Sequence, residues 1–162
     1  MPFRLAALLV AVATAGCDTV GVDLPPEPEA GPAWGEMLAA VNAARARGAT
    51  CGTDRMDPAP DLVWDSRLEA AAARHAEDMA RHAYFDHTGR DGSDAGDRAR
   101  QAGYEWRRIG ETLARHQRSV DETVEAWLAS PGHCRQLLDP RYVEVGAAEE
   151  GGYWAQTFGV PR

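Results

Sequence analysis

The order of hydrophobic patterns along the chain predicts an α+β fold, with a small antiparallel sheet covered by helices. Apolar residues recur with helical spacing through most of the first half, whereas alternating segments lie mostly later in the chain. The chain has 162 residues, of which 44% are hydrophobic and 26% are charged, so it can bury one core. We therefore expect one globular domain over residues 34–162.

Four segments have the apolar spacing and the end signals of helices. The second segment begins at a cap formed by Asp65 or Ser66. The fourth must end at Ser130 because Pro131 follows it. The predicted helices span residues 34–47, 66–83, 95–102 and 119–130.

Three later segments have the composition and alternation of strands. They span residues 107–115, 142–148 and 153–160. Gly151 and Gly152 join the last two as a tight turn, which is typical of an antiparallel pair.

The first 16 residues have the pattern of a secretory signal. Arg4 precedes nine apolar residues, a stretch too short to remain as a membrane anchor. Two cleavage sites compete, one after Ala15 and one after Gly16. The second is favoured because residues 14–17 resemble the lipobox of bacterial lipoproteins, and cleavage there would leave Cys17 first. The signal predicts export, as a lipoprotein facing the periplasm or cell exterior or, alternatively, as a freely secreted protein.

The chain has three cysteines, an odd number for a protein in an oxidising compartment. Lipidation of Cys17 explains one of them, and residues 17–33, which are rich in proline and acids, suit a tether. Cys51 and Cys134 are the only two cysteines inside the domain, and we predict that they form a disulfide. The alternative is a cleaved, soluble protein with a free Cys17.

The charge of the chain argues against a nucleic-acid partner. Its 25 acidic residues outnumber its 17 basic residues, which are all arginine, and its net charge is −8. Such a surface repels phosphate backbones, and contact with a membrane is expected only through the lipid anchor. The sequence contains no Walker loop, H-E-x-x-H, G-x-S-x-G or C-x-x-C motif. These absences restrict the chemistry that the chain can support.

Two of the five histidines lie where side chains commonly face a site. His87 follows a predicted helix end and enters a polar, glycine-containing loop. His133 lies at a helix break beside Cys134. His75 falls on the apolar stripe of the predicted helix 66–83, and we interpret it as a packed core histidine rather than a ligand.

Glu111 is an acid on the apolar face of a predicted strand. It shares this face with Ile109 and Leu113, and a carboxylate in such a place is costly unless it is paired. Either Glu111 belongs to a functional site, or it forms an ion pair with an arginine such as Arg108 or Arg115.

Eight groups of residues between Leu62 and Gly159 form an ordered set of motifs. They are Leu62–Asp65, His75–Ala80, Tyr84–His87, Asp91–Gly92, Arg98 with Gly103–Tyr104, Gly110–Glu111, Trp127–His133 and Tyr153–Gly159. Together they resemble the bacterial branch of the CAP superfamily. This superfamily groups the cysteine-rich secretory proteins, antigen 5 and plant pathogenesis-related group 1 proteins, whose domains are also called SCP-like.

The resemblance implies an α-β-α sandwich around a three-stranded antiparallel sheet. It also implies a cleft lined by two histidines and acidic residues, which in several members binds a divalent cation such as zinc. By position, the histidines match His87 and His133, and the acid on the strand matches Glu111. The chain departs from the family at Thr112, where asparagine is usual, and at Ser130, where many eukaryotic members have a second cleft glutamate.

The sequence leaves three functions open. The cleft could bind a small lipid-like or cell-envelope ligand, with zinc or another divalent cation ordering the site. Alternatively, His87, Glu111 and His133 could support a hydrolase, either through zinc or with Ser130 as nucleophile, although a helix cap also explains Ser130. The third possibility is a structural envelope protein with a vestigial cleft. The resemblance favours binding, because CAP domains share a fold while their activities differ. We expect the protein to be a monomer.

Overall fold

The computed structural model describes residues 32–162, which form five helices and two sheets. The helices are α1 (Pro32–Arg47), α2 (Ser66–His82), α3 (Ala95–Gln101), α4 (Val120–Ala129) and α5 (Pro131–Leu137). The strands are β1 (Ala49–Cys51), β2 (Asp54–Met56), β3 (Val63–Trp64), β4 (Trp106–Arg115), β5 (Glu144–Glu150) and β6 (Tyr153–Pro161). The expected signal peptide (1–16), most of the expected tether (17–33) and Cys17 lie outside the described residues.

The main sheet has the strand order β3-β5-β6-β4. Strands β4, β5 and β6 pair in antiparallel fashion, as predicted. The prediction missed β3, two residues that extend the sheet by pairing parallel to β5. The α+β fold class is therefore confirmed, with a short fourth strand added to the expected three.

Helices cover both faces of this sheet. On one face, α1, α4 and α5 enclose a core that includes Met37, Trp127, Leu137 and Phe158. On the other face, α2 packs alanines and Met79 against the sheet, and α3 packs beside α2. The architecture is thus the α-β-α sandwich that the resemblance implied. Among residues 32–162, no helix has both the length and the apolar character needed to cross a membrane.

Two short elements were missing from the sequence prediction. Pro131 ends α4, as predicted, and it also begins α5. Proline is favoured at the first position of a helix, because the backbone N–H there has no partner within the helix and its absence costs nothing. Strands β1 and β2 form a separate antiparallel hairpin. Each has only three residues and β2 is mostly exposed, so no hydrophobic alternation could mark the hairpin.

The ends of α2 determine where the following loop begins. The Asp65 side chain accepts hydrogen bonds from the backbone N–H groups of Arg67 and Leu68 and so caps the start of the helix. At the other end, Ala83 adopts the left-handed conformation, with φ of 53°, and its N–H donates to Met79. The chain then turns away from the helix axis into the loop that contains His87.

Arg45 is a fully buried arginine on α1. Its guanidinium donates to backbone carbonyl oxygens of Pro60, Leu137, Asp139 and Tyr142. It therefore connects α1 with the segment before β3 and with the turn between α5 and β5.

Cys51 and Cys134 form a disulfide, with their Cα atoms 5.5 Å apart. The bond joins β1 to α5, and so it fixes the helix that carries His133. Both residues are fully buried, in the same core as α1 and α4.

Candidate functional site

Glu111 is a nearly buried carboxylate at the centre of a polar cluster. Strand β4 directs it to the same face as Leu113, which packs against α2, and its side chain is 3% exposed. Oε1 lies 2.8 Å from Nδ1 of His87, and Oε2 accepts a 2.7 Å hydrogen bond from Arg98. Both oxygens are thus in use, and the buried charge is compensated.

The ion pair expected for Glu111 is present, but its arginine is neither Arg108 nor Arg115. Arg98 on α3 forms the ion pair. Arg108 instead pairs with Asp139 at 2.9 Å, and Arg115 lies over the ring of Phe85. Glu111 contacts a predicted site histidine as well as an arginine.

The contact with Glu111 defines the state of the His87 ring. A carboxylate only accepts hydrogen bonds, so Nδ1 carries the proton, and Nε2 of the neutral ring keeps its lone pair. The hydrogen bond to Glu111 raises the pKa of His87. The side chain is 59% exposed, so its Nε2 is accessible to a ligand.

His133 lies on α5, in the opposite layer from the loop that carries His87. Its side chain is half-buried. Burial lowers the pKa of His133, and a proton on His87 lowers that pKa further. Helix α5 contacts β4, the strand that carries Glu111.

Ser130 occupies the junction between α4 and α5. Its backbone N–H donates to Trp127, but its side chain forms no capping hydrogen bond to α5. Within residues 32–162, the hydroxyl has no hydrogen bond to His87, Glu111 or His133. The cleft therefore joins His87 to Glu111 directly and leaves Ser130 outside their hydrogen-bond network.

Sequence reasoning assigned no site role to Arg98 or His75, although both contact this cluster. Arg98 recurs with Ala95, Ala99 and Ala102 at helical spacing, so it lies on an apolar stripe just as Glu111 lies on an apolar strand face. Two opposite charges at buried positions are a signal for a pair, and this signal could have identified Arg98.

His75 is a core residue, as predicted, but it also lies beside the cleft. Its side chain is completely buried, and its Nε2 lies 2.8 Å from the carbonyl oxygen of Asp86 and 3.9 Å from Oε1 of Glu111. Burial lowers the pKa of His75. The residue is therefore a neutral ring that supports the start of the His87 loop.

The cleft can supply only a small set of ligands to a metal ion. The described part of the chain holds no group of three or more histidine, cysteine, aspartate or glutamate residues arranged to bind one. The Nε2 of His87 keeps a lone pair that a metal ion could use, whereas the Glu111 oxygens are already used by His87 and Arg98. Glu111 is placed to orient His87 rather than to bind a metal directly.

Comparison with known proteins agrees with this fold. The sequence model of the CAP family, described as the cysteine-rich secretory protein family, matches residues 38–156. The chain belongs to the CAP family. The match includes β4, α4, α5 and the start of β6, and so it covers all four residues predicted to line the cleft.

Bacillus subtilis has a relative of this CAP domain. The domain is 31% identical over 99 residues to the uncharacterized protein YkwD of Bacillus subtilis, a match that covers 60% of this chain and 38% of that protein. The CAP chain thus spans well under half of the length of this relative.

Two solved structures share the CAP fold. One is an extracellular protein of Bacillus anthracis containing an SCP domain, with a TM-score of 0.69 and 24% identity, over 77% of this chain and 39% of that one. The other is an outer surface protein of Borrelia burgdorferi, with a TM-score of 0.62 and 20% identity, over 78% of this chain and 94% of that one.

Within the CAP domain, Thr112 marks a difference from the usual family pattern. Its buried hydroxyl has no hydrogen-bond partner among the described residues, and neither do the two polar side-chain atoms of Gln156, the residue opposite Thr112 on β6. Thr112 follows Glu111 on the strand, and its side chain is therefore on the other face of the sheet. Thr112 therefore takes no part in the His87–Glu111 contact.

Proposed function

We propose that this CAP domain is an exported binding module whose cleft holds a small ligand of the cell envelope. The observation that carries the proposal is the contact between His87 and Glu111. Glu111, held by Arg98, fixes the ring of His87 and its tautomer, so that an exposed Nε2 is presented to the ligand. A ring that is oriented in advance loses little freedom on binding.

A divalent cation such as zinc would be held by His87 and His133, with waters completing its coordination. When bound, the ion would attract an anionic or carbonyl group of the ligand. Two protein ligands make a weak site, because stable zinc sites use three or four. The cation would therefore contribute to ligand binding rather than to folding.

Zinc uptake and its pH dependence test this cleft. We expect His87→Ala and His133→Ala each to weaken zinc binding at least tenfold in a calorimetric titration. His82→Ala is the matched control, because His82 is a histidine paired with Asp78 on α2. Unchanged zinc uptake in both cleft variants would contradict the proposal.

The pH dependence has a definite sign. A proton and a metal ion compete for the same lone pair, and the pKa of His87 is raised by Glu111. Zinc affinity should therefore fall as the pH decreases, beginning above the ordinary histidine pKa of about 6.5. In the His87→Ala variant the remaining decline should move to lower pH, because the pKa of His133 is lowered.

The same contact also favours a second candidate, a hydrolase in which His87 acts as general base. A histidine oriented by a carboxylate is the usual arrangement of such a base. Incubating the protein with peptidoglycan fragments, envelope lipids and peptides, with and without zinc, separates the two functions. Saturable binding without turnover supports the binding module, whereas turnover that His87→Ala abolishes supports the hydrolase.

We further propose that Cys17 is acylated and anchors the domain to a membrane. The lipobox-like residues before Cys17 support this, as do similar folds in proteins named as extracellular or outer surface proteins. Residues 18–31 would form an acidic spacer, which an anionic membrane surface repels.

Mass spectrometry of the intact protein extracted from membranes tests the anchor. We expect a chain that begins at Cys17 and carries the additional mass of the lipid groups. The Cys17→Ser variant should lose this mass and appear in the soluble fraction. An unmodified chain that begins at Gly16 would show instead that the protein is freely secreted.

A further inference from the structure

Strand β4 leaves one edge of the main sheet without a strand partner. It lies at the end of the strand order β3-β5-β6-β4, and among residues 32–162 it pairs only with β6. Main-chain groups on such an edge are not used by a strand ladder, so they can pair with another chain. The hydrogen bonds across the sheet determine which residues of β4 face outward.

The hydrogen bonds between the other strands show that the main chain of Glu111 faces outward. The main-chain groups of successive strand residues point to opposite sides. The carbonyl oxygen of Val145 accepts from the N–H of Asp65, so Val145 faces β3. Its partner on β6, Phe158, therefore faces β4, where it is paired with Gly110. Glu111 follows Gly110, and so its N–H and C=O point away from β6.

Side chains cover this edge on both sides of Glu111. The carbonyl oxygen of Ile109 accepts from the hydroxyl of Tyr142, and that of Leu113 accepts from the indole N–H of Trp127. Both contacts agree with an outward direction for every second residue of β4. The N–H and C=O of Glu111, in contrast, have no hydrogen-bond partner within residues 32–162. We call these two groups the Glu111 edge pair.

The main chain of Glu111 is accessible although its carboxylate is not. The side chain is only 3% exposed, yet the residue as a whole is partly exposed, as are Ile109 and Gly110 before it. The accessible surface of Glu111 therefore belongs mainly to its main chain. Since the N–H and C=O lie on the outward side of the strand, the Glu111 edge pair is open to a ligand.

The geometry of the Glu111 edge pair selects the kind of ligand. In an extended residue the N–H and C=O belong to two different peptide groups and point to the same side, and one antiparallel residue exchanges two hydrogen bonds with them. The N–H and C=O of a single trans amide point in opposite directions, so an N-acetyl sugar satisfies only one group of the pair. Two amides joined by one carbon, as in a peptide, satisfy both.

We propose that the ligand of the cleft is an extended peptide, one residue of which forms an antiparallel bridge with the main chain of Glu111. Strand addition of this kind is a common mode of peptide recognition. The bridge is limited to one residue pair, because the neighbouring outward carbonyl oxygens are already occupied. His87 contacts the Glu111 side chain, so its exposed ring borders the bridge. The inference rests on the function proposed for the cleft and names the chemical class of its ligand.

Amide hydrogen exchange of the whole ¹⁵N-labelled protein tests whether the Glu111 edge pair is free. The amides of Gly110 and Thr112 face β6 and serve as controls on the same strand. We expect the Glu111 amide to exchange at least about tenfold faster than both, because it has no hydrogen bond to break before it exchanges. Equal protection of the three amides would show that the N–H of Glu111 is already paired, and it would overturn the proposal.

Titration of small amides into the same protein, without zinc, tests the ligand class. The peptide probe is N-acetyl-trialanine methylamide. Its control is the same peptide with all of its alanines N-methylated, and N-acetylglucosamine supplies a single amide. We expect the peptide to shift the Glu111 amide signal and to slow its exchange. The N-methylated peptide and the sugar should each bind about tenfold more weakly, because each loses one hydrogen bond of the bridge.

Two outcomes of this titration would overturn the proposal. One is that the peptide leaves the Glu111 amide unchanged, and the other is that the N-methylated peptide or the sugar binds as tightly as the peptide. Signals of the His87 ring report the cleft in the same spectra. If a probe shifts these signals but not the Glu111 amide, the cleft binds a ligand without the bridge, and only the present inference fails. The zinc titration tests the function proposed for the cleft without any peptide.

Discussion

Replacing Arg98 by methionine is expected to lower the free energy of unfolding by about 3–5 kcal/mol. Methionine fills much of the same volume but leaves the Glu111 carboxylate, which is 3% exposed, without its guanidinium. The carbonyl oxygens of Ser93 and His87 also lose a donor. Denaturant titration of the variant measures the loss.

Two further variants show whether the lost ion pair is the cause. Arg100→Met removes an exposed arginine from the same helix and should cost less than about 1 kcal/mol. Adding Glu111→Gln to Arg98→Met removes the uncompensated charge and should recover part of the stability. If Arg98→Met and Arg100→Met cost the same, the buried pair does not contribute as described.

Removing the disulfide should have an effect of similar size. The double variant Cys51→Ala, Cys134→Ala is expected to lose about 4–5 kcal/mol in the chain-entropy model, because the bond joins residues separated by 83 positions. Since His133 neighbours Cys134, zinc affinity should fall as well. Both effects can be followed on one preparation, by denaturant titration and by calorimetry.

Reduction of the unmodified protein is the control for this variant. The reduced protein should lose as much stability as the double variant, because both lack the same covalent bond. Thiol labelling gives an independent check. Modification of both Cys51 and Cys134 in the native, unreduced protein would contradict the assignment.

The elements that could be predicted from the sequence are those with a long, regular pattern. The helix expected over residues 66–83 is α2, Ser66–His82, because it has both a cap and a full apolar stripe. Helix α5 could not be recognised, because its seven residues give less than two periods of any pattern. Its proline was interpreted only as a stop, although proline both ends one helix and begins another.

For Glu111 the sequence predicted that a partner exists, but not which residue it is. An acid on an apolar strand face predicts a partner for Glu111, and the partner is Arg98, which precedes it by 13 residues on α3. Arg108 and Arg115 are closer in sequence, but Arg108 pairs with Asp139 instead. Only the packing of α3 beside α2 decides which arginine reaches the carboxylate.

The hydrogen bonds of Arg45 have a consequence for interpreting mutational scans. Its guanidinium donates to four carbonyl oxygens on two separate segments, and lysine lacks the planar fork needed to bind all of them. A scan should therefore find Arg45 as intolerant of substitution as His87. The two positions will differ in what is lost, since Arg45 variants should be depleted from the cell, whereas His87 variants should accumulate normally without binding. An assay that scores abundance beside activity will keep a structural arginine from being mistaken for a second active centre.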